Sequence, residues 1–332
     1  MTIDRRILLL RRRLACVFAA LASIVGGAGA QDALTYPTRT VQIVVPYTPG
    51  TTADILARLL GPKLSERWKV AVITDNRAGA TGSIGIAFVA KAAPDGHTLL
   101  FVPSSFSMIP ALYPKLPFDA LKSFAPVALI ATGTVALVVH PQLPVRSVRD
   151  FVQLAKHRPG ELHYASPGNA SAPHLAMELL KLETGIDVVH VPYKGFAAAI
   201  TDVMGGHVQA MIPSLQTAHP YVTSGRLRML AVMSGQRSPA LPTVPTMKEQ
   251  GLPQLEVESW YGALVPAATP APVIARVNSE IAALLQQPDV REQLASQGMN
   301  PAGGSPERFR ALVKSELARW SRVVAATKIK LD

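Results

Sequence analysis

The chain has 332 residues, of which 48% are hydrophobic, with 33 Lys and Arg against 22 Asp and Glu. That length can bury a large core shared between two lobes, and a chain this rich in Val, Ile and Leu is not disordered. After residue 30 no apolar run approaches the ~20 residues a membrane-spanning helix needs.

The first thirty residues predict an export signal. Arg5, Arg6 and Arg11-Arg12-Arg13 precede an apolar run from Leu14 to Val25, and Ala28-Gly29-Ala30 supplies small residues for cleavage after Ala30. Cys16 stands at the start of the apolar run rather than after it, with Arg13 where a lipid-attachment motif needs an aliphatic residue, and the residues around Arg12-Arg13 match the twin-arginine motif poorly. Removing this segment takes five Arg and one Asp, so the net charge falls from +11 to +7, and it takes the only cysteine. The mature chain then has no disulfide and no Cys-based metal site. Its remaining Lys and Arg are scattered, which excludes the concentrated stripe a nucleic-acid surface requires.

In chain order, 41–45 reads as a strand, 46–50 as a turn and 54–64 as an amphipathic helix. A strand over 70–74, a glycine-rich loop over 76–82, a helix over 83–91 and a strand over 98–102 complete a βαβαβ unit, which implies a parallel sheet covered by helices. The apolar stretch 127–140, broken near Thr132-Gly133-Thr134, reads as one strand leaving a first lobe and another entering a second. The second lobe repeats the alternation: helix 148–157, strand 162–165, helix 172–183, strand 188–191, helix 197–204, and strands 208–212 and 227–233. A strand over 257–265 returns to the first lobe, and helices over 273–286, 289–296 and 306–326 are expected to pack back on it. Two such crossings make a hinge, and the crevice at the strand C-termini is where these sheets bind ligands.

Three loop-to-helix junctions stand at those C-termini. Thr51-Thr52-Ala53-Asp54 fits an N-cap with a reciprocal acidic residue. Gly79, Gly82 and Gly85 allow close backbone approach, and Ser166-Pro167-Gly168-Asn169-Ala170-Ser171 precedes the helix that starts at Ala172. Each resembles an ordinary cap, but together they offer unpartnered helix N–H groups and hydroxyls suited to a carboxylate or phosphate. The loop 79–85 does not have G-x-G-x-x-G spacing, and neither G-x-S-x-G nor H-E-x-x-H occurs. Glu256 and Glu258 alternate on a strand without a partner base.

The segment Tyr36-Pro37 through Val45-Pro46-Tyr47-Thr48-Pro49-Gly50 with Asp54 and Ala57-Arg58, then 76–82 and Pro94-Asp95-Gly96-His97, resembles the Bug family of periplasmic receptors. So do Tyr164-Ala165-Ser166-Pro167-Gly168, His174-Leu175 with Glu178, Val191-Pro192-Tyr193-Lys194-Gly195 and Trp260-Tyr261-Gly262. These receptors are the solute-binding components of tripartite tricarboxylate transporters. The resemblance spans the mature chain. It implies an α/β, two-lobed periplasmic-binding-protein (Venus flytrap) fold with two parallel-rich sheets and a two-strand hinge. Residues 31–133 and 257–332 would form lobe 1, and 134–256 lobe 2.

The resemblance further implies a monomeric, non-enzymatic periplasmic protein with no cofactor or metal. It would close on a small organic carboxylate and deliver it to membrane permease subunits, or present it to a sensor kinase. Carried over residue by residue, the ligand contacts are Tyr47, Thr48, Pro49, Gly50, Thr51 and Thr52, with Ala80, Thr81 and Gly82 from the glycine-rich loop and Ser104 and Ser105 after the third strand. Lobe 2 would supply Ser166, Asn169, Ala170, Ser171, Tyr193 and Asp202. Thr51 stands where the family has a second glycine, and Phe196 and Ala198 where it has small residues and a proline. Lys194 and Arg77 are less favoured as carboxylate partners than neutral donors. A serine hydrolase using Ser166 or Ser104 with His174 is the alternative from another class.

Overall fold

In the computed structural model, residues 35–327 are described, apart from Pro114, Ala170 and Ala240; the expected signal segment 1–30 and Ala170 of the expected site lie outside them. The strands are β1 (Val41–Val45), β2 (Val72–Asn76), β3 (Thr98–Pro103), β4 (Phe124–Thr134), β5 (Ala136–Val139), β6 (His163–Ser166), β7 (Val189–Pro192), β8 (Ala210–Met211), β9 (Arg228–Val232), β10 (Glu258–Pro266) and β11 (Met299–Pro301). They form a six-stranded sheet in the order β11-β4-β10-β3-β1-β2 and a five-stranded sheet in the order β7-β6-β8-β5-β9. Both sheets are mixed. Each holds a parallel triplet whose first strand lies in the middle, β2-β1-β3 and β7-β6-β8, extended by antiparallel strands.

The helices are α1 (Thr52–Trp68), α2 (Ser83–Ala90), α3 (Ile109–Leu112), α4 (Val148–His157), α5 (Ala172–Thr184), α6 (Phe196–Met204), α7 (Leu215–Thr223), α8 (Ala271–Leu284), α9 (Pro288–Ser296) and α10 (Pro306–Thr327). Helix α4 starts on a capping box, with the Ser147 side chain accepting from the Asp150 amide and the Asp150 side chain accepting from the Ser147 amide. Helix α5 stops at Gly185, whose left-handed φ of 67° returns its N–H to the last turn. Helix α1 runs a turn beyond the expected Leu64, through Pro62, because Trp68 at its end is buried in the first-sheet core. Neither α7 nor β11 was expected: Pro220 interrupts the helical pattern of the one, and the other is three residues long.

Hydrophobic clusters cover both faces of each sheet. Ile43 and Val45 of β1 face one cluster with α1 and α8, and Val44 faces another with α2 and Trp260. In the second sheet Leu137 and Val139 face α4 and α5, while Ala136 and Val138 face α6.

The registers fix where the strands end. β4 leaves the first sheet at Thr134, opposite Glu258, where β10 enters it. β3 runs antiparallel to β10 with Pro103 opposite Tyr261, so β3, β1 and β2 all end toward this crossing. Across it, Val135 bridges Ser214 just past the end of β8, and β6 and β7 run parallel to β8. The C-terminal ends of both parallel triplets therefore face the crossing from opposite sides.

Helices α8 and α9 pack on the first sheet, as expected. Helix α10 does not stay there. Phe309 and Val313 belong to the first-sheet cluster, but Trp320 and Val323 belong to the second-sheet cluster, and Arg322 Nη2 pairs with Glu183 Oε1 of α5 at 2.7 Å. The helix thus spans both lobes.

Candidate ligand cleft

Three adjacent loops form the rim of the first sheet, following β1, β2 and β3, and Tyr47 ties them together. Its hydroxyl lies 3.0 Å from Ser105 Oγ in the third loop. Its carbonyl accepts from Asn76 Nδ2, at the end of β2 where the second loop begins, at 3.1 Å, and its ring lies where a Cβ at Gly82 would come within 3.2 Å. Burial pushes the Tyr47 phenol upward in pKa, against the lowering effect of the Ser105 bond.

The first loop is set by Asp54, which is 2% exposed. The expected reciprocal cap does not form: Thr51 Oγ1 donates to the Thr48 carbonyl at 3.1 Å, and Asp54 Oδ2 accepts the Gly50 amide at 2.9 Å. Asp54 also accepts from Arg58 Nε and Asn76 Nδ2, each at 3.0 Å. Burial pushes its carboxyl up, but these bonds outweigh it and hold the pKa below the usual carboxylate range. The first intrahelical bond of α1 runs from Ile55 N to Thr51 O. The amides of Thr52, Ala53 and Asp54 thus have no acceptor within the helix.

In the second loop Gly79, Ala80, Thr81 and Gly82 all have positive φ, at 131°, 46°, 54° and 94°. For Ala80 and Thr81 this costs on the order of 1–2 kcal/mol each, the kind of strain that collects at functional loops. Gly85 plays a different part from the one expected. A Cβ there would lie 2.7 Å from the Arg77 carbonyl and 2.9 Å from Pro46 Cα, so it lets α2 pack on β1 rather than letting backbone approach a ligand. Thr81 Oγ1 lies 2.5 Å from the Tyr113 hydroxyl.

The rim of the second sheet is built alike. The Tyr193 amide donates to the Ser166 carbonyl at 3.0 Å and the Gly195 amide to the Pro167 carbonyl at 3.2 Å, which joins the loops after β6 and β7. The N-termini of α5 and α6 therefore lie side by side. Ser171 caps α5, accepting from the His174 amide at 3.4 Å. The Tyr193 hydroxyl donates to Asp202 Oδ2 at 2.6 Å, and burial followed by this bond pushes its pKa up to about 12.

Among the expected site residues, Thr48, Pro49, Gly50, Ala80, Thr81 and Asn169 are exposed; Tyr47, Thr51, Thr52, Ser105, Ser171, Tyr193 and Asp202 are half-buried; Gly82, Ser104 and Ser166 are buried. The first-rim residues are drawn together by the contacts of Tyr47, and the second-rim residues by those of Ser166 and Tyr193. Arg77 is occupied elsewhere: its Nε meets Asp75 Oδ2 at 2.5 Å and its guanidinium lies 3.7 Å over the Phe88 ring. Lys194 is exposed. Phe196, 38% exposed at the start of α6, is not packed into the second-lobe core.

Two residues in this region escaped sequence reasoning. Tyr261 of β10 faces Pro103 at the end of β3 and sets its phenol beside Thr52; the Trp-Tyr-Gly triplet could have pointed to it. His190, not His174, meets Ser166 Oγ, at 2.6 Å. Alternate residues on a strand share a face, but Ser166 and His190 lie on neighbouring strands whose register the sequence does not display. The hydrolase alternative placed His174 on Ser166. Instead Ser166 is fully buried, and its Oγ also bonds the carbonyl and amide of Gly168, at 2.9 and 3.2 Å.

Residues 56–329 match the model of the family described as "Tripartite tricarboxylate transporter family receptor". The protein BugT of Bordetella pertussis is 36% identical over 321 residues, covering 96% of this chain and 98% of that one. A protein of R. palustris solved with adipate is 36% identical, with a TM-score of 0.73 over 89% of this chain and 99% of the other. The protein MatC from Rhodopseudomonas palustris, solved with bound malate, is 32% identical, with a TM-score of 0.71 over 87% of this chain and all of the other.

Proposed function

The chain belongs to the tripartite tricarboxylate transporter receptor family, whose members are solute-binding receptors and not enzymes, and from that premise we propose that it captures a small dicarboxylate between its two rims and passes it to the permease of such a transporter. The observation that carries this reading is the pair of rims, each ending a parallel triplet, that face one another across the strand crossing with helix N-termini and hydroxyls, the first rim's Arg58 and Arg77 being already paired with Asp54 and Asp75. An anion is then held by backbone N–H groups and helix dipoles. The ligands of the two R. palustris structures, adipate and malate, support the dicarboxylate class.

In this reading residues 31–133 and 257–332 move as one lobe against 134–256, bending where β4 and β10 cross. The chain is exported through residues 1–30 and acts as a monomer in the periplasm. The ligand-facing set is Tyr47 to Thr52, Ala80 to Gly82, Ser105, Asn169 to Ser171, Tyr193 and Asp202, to which we add Tyr261, and the buried Ser104 and Ser166 support the loops from behind.

The test is thermal unfolding of residues 31 onward against mono-, di- and tricarboxylates. An acid at ~100 times its Kd adds roughly 2.7 kcal/mol to stability. Small-angle scattering with and without that acid reads the closure as a fall in radius of gyration. Stabilisation by no acid, from protein first unfolded and refolded to strip any bound molecule, overturns the proposal.

A further inference from the structure

Behind the 166–171 loop is a polar stack that contact with a ligand does not require. The rings of His174 on α5 and His190 on β7 lie face to face, with centroids 3.8 Å and planes 14° apart, and Tyr164 of β6 lies against His190 at 4.9 Å. The Tyr164 hydroxyl donates to Glu178 Oε1 at 2.6 Å, and Lys181 Nζ donates to the same oxygen at 2.7 Å. The phenol is thereby anchored from α5, and the two imidazoles are wedged between that helix and the sheet. Burial is the main cause that lowers both imidazoles to about 4, so both rings are neutral at ordinary pH.

His190 Nε2 lies 2.6 Å from Ser166 Oγ, the buried atom that also holds the Gly168 carbonyl and amide. A hydroxyl donates once and accepts twice. With the Nε2–H tautomer, Ser166 accepts from His190 and from the Gly168 amide and donates to the Gly168 carbonyl, and every one of its positions is filled. His190 is thus the side chain that fixes the Ser166 rotamer, and Ser166 sets the turn that carries Asn169 and Ser171 to the cleft.

We propose that His190 is a positioning residue for the second rim: held by His174 and Tyr164, it locks Ser166 and so the path of the loop. This rests on the reading that the 166–171 loop takes part in ligand capture. The variant His190→Phe keeps a ring in the stack but removes Nε2, while His190→Gln places an amide group at the Nε2 position.

The primary test is amide hydrogen exchange of the unliganded protein, which needs no ligand. In His190→Phe, exchange at Gly168, Asn169 and Ser171 should accelerate about tenfold, with the 79–82 loop unchanged, and His190→Gln should restore it to within about twofold. By calorimetry with adipate and malate as probes, His190→Phe and Ser166→Ala should each weaken binding about fivefold, the effect of one lost hydrogen bond. The double variant should be no weaker than either single one, since both remove the same constraint. Unchanged exchange at 168–171, or losses that add in the double variant, overturns the proposal. If His190→Phe does not fold, exchange in Ser166→Ala and His190→Gln decides. If the wild type binds neither acid, the ligand class proposed above fails, and the exchange pattern still decides the clamp.

Discussion

The phenol oxygen of Tyr47 and the Oγ of Ser105 are 3.0 Å apart, and this bond joins the loop after β1 to the loop after β3. Both are half-buried, so the bond contributes about 1 kcal/mol. Tyr47→Phe keeps the ring against Gly82 and loses only the hydroxyl. The expected result in calorimetry is a roughly fivefold weaker dicarboxylate affinity with little change in Tm; unaltered affinity would remove Tyr47 from the rim.

Asp54 makes a second, sharper case, because its carboxylate is consumed in shaping the first loop. Asp54→Asn removes the charge paired with Arg58 and, because an amide has one acceptor oxygen, also one of the two bonds donated by Gly50 and Asn76. Arg58 is half exposed, so the loss is discounted for solvent to about 1–3 kcal/mol at neutral pH. The folded carboxyl lies below its ordinary 3.8. Its contribution is therefore present above that value and is lost as pH falls through the folded one. Urea titrations of wild type and variant should differ at pH 7 and converge in strong acid.

Glu258 is the opposite case. Burial, and then the nearby Glu256, raise its pKa, and it sits at the point where β10 enters the first sheet. A folded carboxyl with a raised pKa costs stability as pH rises from its ordinary value through the folded one. Glu258→Gln should thus be more stable than wild type at pH 7, by on the order of 0.5–1 kcal/mol after discounting for partial exposure. The gain should vanish near pH 4. A gain that persists in acid would mean the effect is not electrostatic.

Trp320 is fully buried in the second-sheet cluster, and its indole donates to Glu316 Oε2 at 2.8 Å. Trp320→Ala removes a large core side chain and leaves a cavity, a cost of about 3–5 kcal/mol. The same change tests whether α10 couples the lobes: denaturation followed at both sheets by hydrogen exchange should become non-coincident in the variant. Coincident transitions would assign that coupling to the strand crossings alone.

The alternation of strands and helices was legible because most apolar residues obey one period at a time. The limits 41–45 and 148–157 were read from the sequence as they stand in the structure, and Val70–Thr74 was read two residues early because Val70 is apolar but lies outside the strand. The break near Thr134 was visible as small and polar residues within an apolar run. Less could be read of the site. Loops with glycines and hydroxyls announced the rims, but Asp54 bonding Gly50 rather than Thr51, and Gly85 packing against Pro46, depend on loop paths that no local pattern encodes. Trp320 reads as an apolar position on an amphipathic helix whichever lobe receives it.

The order of strands in the first sheet has a consequence for synthesis. β10, which stands between β3 and β4, is made about 120 residues after β4. All five strands of the second sheet lie between residues 136 and 232. The second sheet can therefore be complete while β3 has one edge unpaired and β4 has neither of its partners, β10 and β11, so their backbone groups are open to other chains. Residue 266 must be made before β10 joins β3 to β4, and the sheet is complete only at residue 301, just before α10 begins. A chain built this way reaches its finished form late, so a premature stop between 233 and 257 should yield a folded second sheet carrying an aggregation-prone half of the first.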